Sequence, residues 1–284
     1  MLATNRRGIV LMCAAMACFI INDALVKWVS QALPSAQIIF IRGVMATLLV
    51  WAVARASGQR LVGRELIQGP VALRSLVEAA GSLIYLISLF NLPLANATAI
   101  NMAAPLVLTV LAVLFLHEKV GASRWVAVAL GFAGVLFIIQ PSASGFNGYA
   151  WLCLAGTLFH SARDLLTRRI APSVPSIAIT LAAALSVTVA AGVWSLFQGW
   201  VMLNARTVAA LALASAFLAT GYHCIISSMR HGDMSVVAPF RYVGLLFAVA
   251  LGYLVWGDVP NAMAWFGIAL LVGSGLSLLH APPR

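Results

Sequence analysis

The chain has 284 residues, of which 63% are hydrophobic and 8% charged, with mean hydropathy +1.02. Soluble domains carry about 25% charged residues, so this composition excludes an ordinary globular fold and indicates an integral membrane protein. The net charge of +10 does not mark a nucleic-acid binder, because the bases are scattered between apolar runs and form no stripe, tail or motif.

A membrane-crossing helix needs about 20 mostly apolar residues. The first apolar run follows Arg6 and Arg7 and continues to Trp28 without a small-residue cleavage site, so it is expected to be a span rather than a secretory signal. In chain order, ten spans are predicted at roughly 8–28, 34–54, 70–90, 95–116, 122–140, 148–168, 175–198, 207–229, 233–256 and 261–280. The breaks carry turn chemistry or charge, among them "QALPS", "ARASGQRLVGRE", "FNLPLAN", "LHEKVGAS", "QPSASGFNG" and "GDVPN". With the N-terminus inside, eleven bases fall at inner ends and two, Lys27 and Arg206, at outer ends. That asymmetry predicts cytoplasmic termini in a bacterial-type inner membrane. The cysteines Cys13, Cys18, Cys153 and Cys224 lie in apolar runs without CxxC spacing, so neither a disulfide framework nor a metal site is expected.

Several ionisable residues fall within the spans. Each costs about 2.5 to 3.5 kcal/mol at a bilayer centre, which predicts that they face the bundle interior or a wet cavity. Span 1 carries Asn22, Asp23 and, one turn on, Lys27. Span 2 carries Arg42. In span 3, Arg74, Glu78, Gly81, Tyr85 and Ser88 are spaced to form one polar stripe on a helical face. Arg74 and Glu78 are also i,i+4 neighbours, so they form either a structural ion pair or a cavity-facing pair for substrate or proton. In span 4, Asn101 precedes Pro105 by one turn. Span 6 repeats the striped pattern with Thr157, His160, Asp164 and Thr167, and Arg163 lies beside it. Its Asp164 is a coupling candidate or a partner for arginine. His160 is a proton carrier or a packing histidine. Thr220, His223 and Ser227 form a modest polar face in span 8, with Tyr222 adjacent. In span 9, Arg241 and Tyr242 follow Pro239, and both Pro105 and Pro239 are expected to kink their helices. Gly244, Ala248 and Gly252, and Ala127 with Gly131, make small-residue seams that serve folding or a homodimer.

Sliding the chain against itself by 140 or 141 residues aligns Asp23 with Asp164, Lys27 with Arg168, Pro34 with Pro175, Gly81 with Gly221, Ser88 with Ser228 and Trp125 with Trp265. The chain therefore reads as two copies of a five-span unit, residues 1–141 and 142–284. An odd number of spans per unit inverts the second copy. This predicts an all-α integral membrane fold of ten transmembrane helices in two inverted five-helix repeats, an architecture used by secondary transporters.

The stretches "DALVKW", "FIRGVMA", "LPLANATAINMAAPLVLTVLAVLFLHEKV", "WVAVALGFAGVLFI" and "VAPFRYVGLLFAVALGYLVWGD" resemble the drug/metabolite transporter superfamily, of the EamA type, over essentially the full length. The resemblance implies ten helices, with spans 1, 3, 4, 6, 8 and 9 around a central cavity and spans 5 and 10 more peripheral. It implies cargo such as amino acids, S-adenosylmethionine, riboflavin or other small metabolites. Because span 2 is outside that set, Arg42 is expected to be structural or to act in gating.

The chain lacks a phosphate loop, an HExxH zinc motif and a GxSxG elbow, so it is not expected to be an ATP-driven pump or an enzyme. No cofactor is expected. The in-span arginines Arg42, Arg74, Arg163 and Arg241 outnumber the acids Asp23, Glu78 and Asp164. With Tyr85, Phe159, Tyr222 and Tyr242 nearby, this favours a small zwitterionic or anionic organic solute with an apolar or aromatic part, an amino acid or related compound first. A vitamin or S-adenosylmethionine is the alternative within the family, and a flippase for lipid or lipid-linked sugar the alternative outside it. Small solute and membrane lipid are the expected partners.

Overall fold

The computed structural model describes residues 2–56, 69–117, 121–140, 147–167, 169–171, 173–231 and 234–280. The loops around Arg60, Arg64, Glu118 and Lys119, with Arg168, lie outside these residues. The described residues are helical and contain no strand. Span 1 is α1 (Leu2–Val29), span 2 is α2 (Ser35–Ala56) and span 3 is α3 (Gly69–Asn91). Span 4 is two helices, α4 (Leu94–Asn101) and α5 (Ala104–Leu116). Spans 5 to 8 are α6 (Ala122–Ile139), α7 (Gly148–Thr167), α8 (Ser176–Ser195) and α9 (Ala205–His231). Span 9 is built from α10 (Met234–Val237), a 3₁₀ turn (Ala238–Tyr242) and α11 (Val243–Trp256), and span 10 is α12 (Ala262–His280).

Seven of the spans are long and apolar enough to cross a membrane by themselves, and Trp125–Ile139 and Ala262–Ser277 are shorter apolar helices. The tenth, α7, is more polar because His160, Arg163 and Asp164 sit in its second half. It can be so because that face meets other helices rather than lipid.

The principal helix pairings all join one half of the chain to the other: α1 with α9, α3 with α7, α6 with α12, and α2 with α8. Exchanging the halves maps this set onto itself, as a twofold-related inverted repeat requires. The axis passes between α2 and α8. There Thr47 and Thr188, 141 positions apart, have their hydroxyls 3.3 Å from each other.

Small residues permit the closest approaches. A Cβ on Gly134 would lie 2.6 Å from the Gly267 carbonyl oxygen, and one on Gly267 would lie 2.5 Å from that of Gly134. Helices α6 and α12 therefore cross backbone against backbone. The Gly244–Ala248–Gly252 seam is turned inward, with Gly244 against Met16 and Met102 and Ala248 fully buried. It packs α11 on α1 and α4.

The two interrupted spans occupy equivalent places in the repeats. In span 4 the helix breaks at Met102–Ala103, just before Pro105, which has no N–H to donate. Polar groups of α7 meet the break: Ser161 donates to the Ala104 carbonyl at 3.1 Å, and the His160 Nδ1 lies 3.2 Å from the Asn101 side-chain oxygen. Irregular backbone at membrane depth survives only where such partners exist. In span 9 the 3₁₀ turn contains Pro239 and carries Arg241 and Tyr242.

One end of the bundle is sealed. Val26, Val29, Ile38, Ile39, Leu89 and Leu94 are fully buried there. Lys27 reaches across to the last turn of α3, donating to the Leu89 carbonyl at 3.0 Å and also to the Leu92 carbonyl. Its ammonium lies 5.5 Å from the Trp256 ring centroid. At the same end Gln37 donates to the Val201 carbonyl at 2.8 Å and accepts from the Val201 N–H at 3.0 Å. This ties α2 to the connection between α8 and α9.

A charged central cavity

Between the two halves lies a cavity of about 910 Å³. Ten of the polar or aromatic residues named from the sequence line it: Asp23, Arg74, Glu78, Tyr85, Asn101, His160, Asp164, Tyr222, Arg241 and Tyr242. Pro105 also lines it; Pro239 does not.

On the α3–α7 side the charges form a chain. Arg163 donates from Nη1 to both oxygens of Glu78, at 2.9 and 3.0 Å, and from Nε to Asp164 at 3.0 Å. Arg74 approaches Glu78 at 3.2 Å from the other side, and its Nε donates to the Thr167 hydroxyl at 3.3 Å. The Ser82 hydroxyl donates to Glu78 at 3.2 Å. The i,i+4 pair inferred from spacing therefore exists, but the shorter contact to Glu78 comes from Arg163, across the helix interface.

On the α1 side, Asp23 has no ion-pair contact among the described residues. It accepts hydrogen bonds of 2.9 Å from the Tyr85 hydroxyl and 2.9 Å from the Asn22 side-chain amide. Arg42 donates to the Asn22 oxygen at 3.4 Å, and its own carbonyl accepts from Ser215 at 3.3 Å.

The expectation that span 2 stays outside the cavity is corrected here. Arg42, Gly43, Ala46 and Val50 all contribute to the lining. Gly43 explains this: a Cβ there would stand 2.5 Å from the Thr188 hydroxyl, so only glycine lets α2 approach α8 closely enough to turn Arg42 inward. Two further readings also change. The Thr220 and His223 face of span 8 is exposed and takes no part in the lining, which on α9 is formed by Leu218, Ala219, Tyr222 and Ile225. Phe159 does not line the cavity, and its Cβ packs against Gly81.

Sequence reasoning missed Phe19, Met16 and Met102, which line the cavity as apolar residues of ordinary-looking spans. Helical spacing gave a signal for Phe19 and Met16, which stand four and seven residues before Asp23 and so share its face.

Not every polar donor in the cavity is used internally. Arg241 is exposed and has no hydrogen-bond or ion-pair partner among the described residues, whereas the Arg74 Nη1, the Thr98 hydroxyl and the Tyr242 hydroxyl are buried without one. Unpaired polar groups at such depth are unfavourable unless something else meets them, so they mark where a polar solute or water is received. No cluster of metal-ligating side chains occurs among the described residues.

A ten-helix inverted repeat around a charged central cavity defines a polytopic membrane carrier. Comparison with known proteins gives the family. The EamA-like transporter family model matches residues 6–140 and again residues 147–279, and the chain belongs to that family. It is similar to the pseudopaline exporter CntI of Pseudomonas aeruginosa strain UCBPP-PA14, with 28% identity over 96% of each chain. It is also similar to a riboflavin transporter of Vibrio cholerae, with 28% identity over 94% of this chain and 90% of that one. An S-adenosylmethionine uptake transporter of Rickettsia bellii is 21% identical over 93% of this chain and 90% of its own. One solved crystal structure shares the fold, with a TM-score of 0.67 and 17% identity over 96% of each chain. The protein is thus a small-molecule secondary transporter.

Proposed function

We propose that the protein carries a small anionic or zwitterionic organic metabolite across the inner membrane by alternating access, and that the ten cavity residues named above form its binding and coupling site. The single observation that supports this is the surplus of guanidinium donors in the cavity. Glu78 and Asp164 are occupied by Arg163 and Arg74, whereas Arg241 is unpaired among the described residues and Arg42 makes one long side-chain bond. A carboxylate or phosphate satisfies such donors with charge-assisted, often bidentate hydrogen bonds. The ammonium of a zwitterion would meet Asp23, which is hydrogen-bonded by neutral groups only. Amino acids and related compounds fit this pattern first. The names of the relatives support a vitamin or S-adenosylmethionine as the second reading.

The sequence halves 1–141 and 142–284 act, in this proposal, as the two rocking units. With both termini cytoplasmic, the end sealed by Lys27 and Gln37 is the outer one and the cavity faces inward. Transport rather than catalysis is the activity, the carrier needs no cofactor, and lipid and any second copy of the chain meet its outer surface.

A thermal-shift screen of the detergent-purified protein against small metabolites tests the reading. A ligand at 100 times its dissociation constant stabilises the fold by about 2.7 kcal/mol. A hit among anionic or zwitterionic metabolites that is lost in Arg241→Ala or Arg74→Ala supports it. Stabilisation by lipids or lipid-linked sugars alone overturns it in favour of a flippase.

A further inference from the structure

The two faces of the cavity that the repeat relates are chemically unlike. At an offset of 141, Phe19 corresponds to His160 and Asn22 to Arg163; at 140, Leu218 corresponds to Glu78 and Gly221 to Gly81. The backbone arrangement is shared. A Cβ on Gly81 would meet the His160 ring at 2.9 Å, and a Cβ on Gly221 would meet the Phe19 ring at 2.8 Å. In each half a glycine of the third helix lets a ring from the other half's first helix lie across it.

What surrounds the ring has diverged. Around His160 stand Glu78 and Arg163. Phe19 packs against the buried cluster that holds Met16, and Tyr222 packs on it edge to face, with centroids 5.2 Å apart and planes at 74°; Leu218 and Met102 share the cavity lining. The His160 ring has an aromatic neighbour as well, Tyr85 with centroids 5.7 Å apart, but Tyr85 is buried and its hydroxyl is held by Asp23. Tyr222 is 43% exposed although its helix is in the bundle, and it lines the cavity. An aromatic pair on the cavity lining, with the Met16 thioether in the cluster beside it, suits a planar unsaturated ring, which gains from offset or edge contacts and from sulfur.

We propose that the ligand sits in one orientation, with its anionic end at the guanidinium donors left unused, Arg241 and the Nη1 of Arg74, and a planar aromatic ring against Phe19 and Tyr222. Phe19 and Tyr222 then determine specificity for ring-bearing anions. This rests on the reading of the cavity as a site for an anionic or zwitterionic solute. A cavity of about 910 Å³ holds a ring system and a charged chain together.

The test uses two probes of equal length and charge, 3-phenylpropanoate and 3-cyclohexylpropanoate, titrated by thermal shift against the full chain in detergent. The phenyl compound is the less hydrophobic, so partition into micelles works against the expected result. It is expected to bind about threefold to tenfold more tightly. The ratio is expected to fall to about one in Phe19→Leu and in Tyr222→Leu, either of which suffices if the other does not fold. Equal binding of both probes in the unmodified protein, lost in Arg241→Ala, leaves the anion site standing and overturns the ring subsite. A phenyl preference that survives both variants overturns it as well. If neither anion shifts the transition, the anionic-site reading falls and this inference falls with it.

Discussion

Glu78 is the residue whose loss the structure prices most clearly. Its carboxylate is held by Arg163 at 2.9 and 3.0 Å and by Arg74 at 3.2 Å, and the three side chains are 10, 20 and 13% exposed. Glu78→Leu leaves two poorly solvated guanidinium groups without their shared counter-ion, and breaking a buried pair from one side costs about 3–5 kcal/mol. For a chain of this size that is a fall in Tm of about 6–12 °C. The repeat supplies the compensating design. On the equivalent face Ala214, Leu218 and Asn22 stand where Arg74, Glu78 and Arg163 stand here. The triple variant Arg74→Ala, Glu78→Leu, Arg163→Asn copies that face, removes Arg74, which loses its ion pair, and Arg163, which is left with Asp164 alone, and is expected to recover most of the lost stability. Unfolding followed by tryptophan fluorescence in detergent measures all three proteins. A single variant as stable as the parent, or a triple variant less stable than the single one, would refute the reasoning.

Lys27→Met removes the donor to the Leu89 and Leu92 carbonyls, and is expected to cost about 2–4 kcal/mol in the same unfolding assay. Two glycines in small-residue seams should behave oppositely. Gly134→Ala drives a Cβ onto the Gly267 carbonyl and should destabilise by about 1–3 kcal/mol, whereas Gly252→Ala has nothing nearer than 3.9 Å and should be neutral or slightly stabilising. A Cβ on Gly275 would overlap the Tyr242 hydroxyl, so Gly275→Ala must displace that ring, which lines the cavity. Its expected effect is a weaker dissociation constant for any cavity ligand, read by thermal-shift titration.

Much of this site was legible because helical spacing is a local property. The stripe Arg74, Glu78, Tyr85 lies on one face of α3 by periodicity alone, and the repeat offset paired Asp23 with Asp164. The ten-helix architecture followed from apolar length and from matches of rare residue types. What sequence could not supply was partner choice across helices. Arg163 rather than Arg74 makes the shorter contacts to Glu78, and this depends on the α3–α7 crossing, where Gly156 lets a Cβ-free backbone come within reach of Tyr85. Arg42 was misplaced because the family pattern was read helix by helix. The close α2–α8 approach at Gly43 brings Arg42, Ala46 and Val50 of that helix to the cavity. Phe19 escaped notice because an apolar residue in an apolar span carries no contrast.

The central claim is that the cavity carries an anionic or zwitterionic solute from one side to the other. Counterflow tests it most directly: proteoliposomes preloaded with the best thermal-shift ligand are given a trace of the same ligand in labelled form outside. The account predicts transient accumulation of label that requires the protein, saturates, and is abolished in Arg241→Ala. A protein that binds the solute yet exchanges none of it, or an Arg241→Ala variant that exchanges it as fast as the parent, would contradict it.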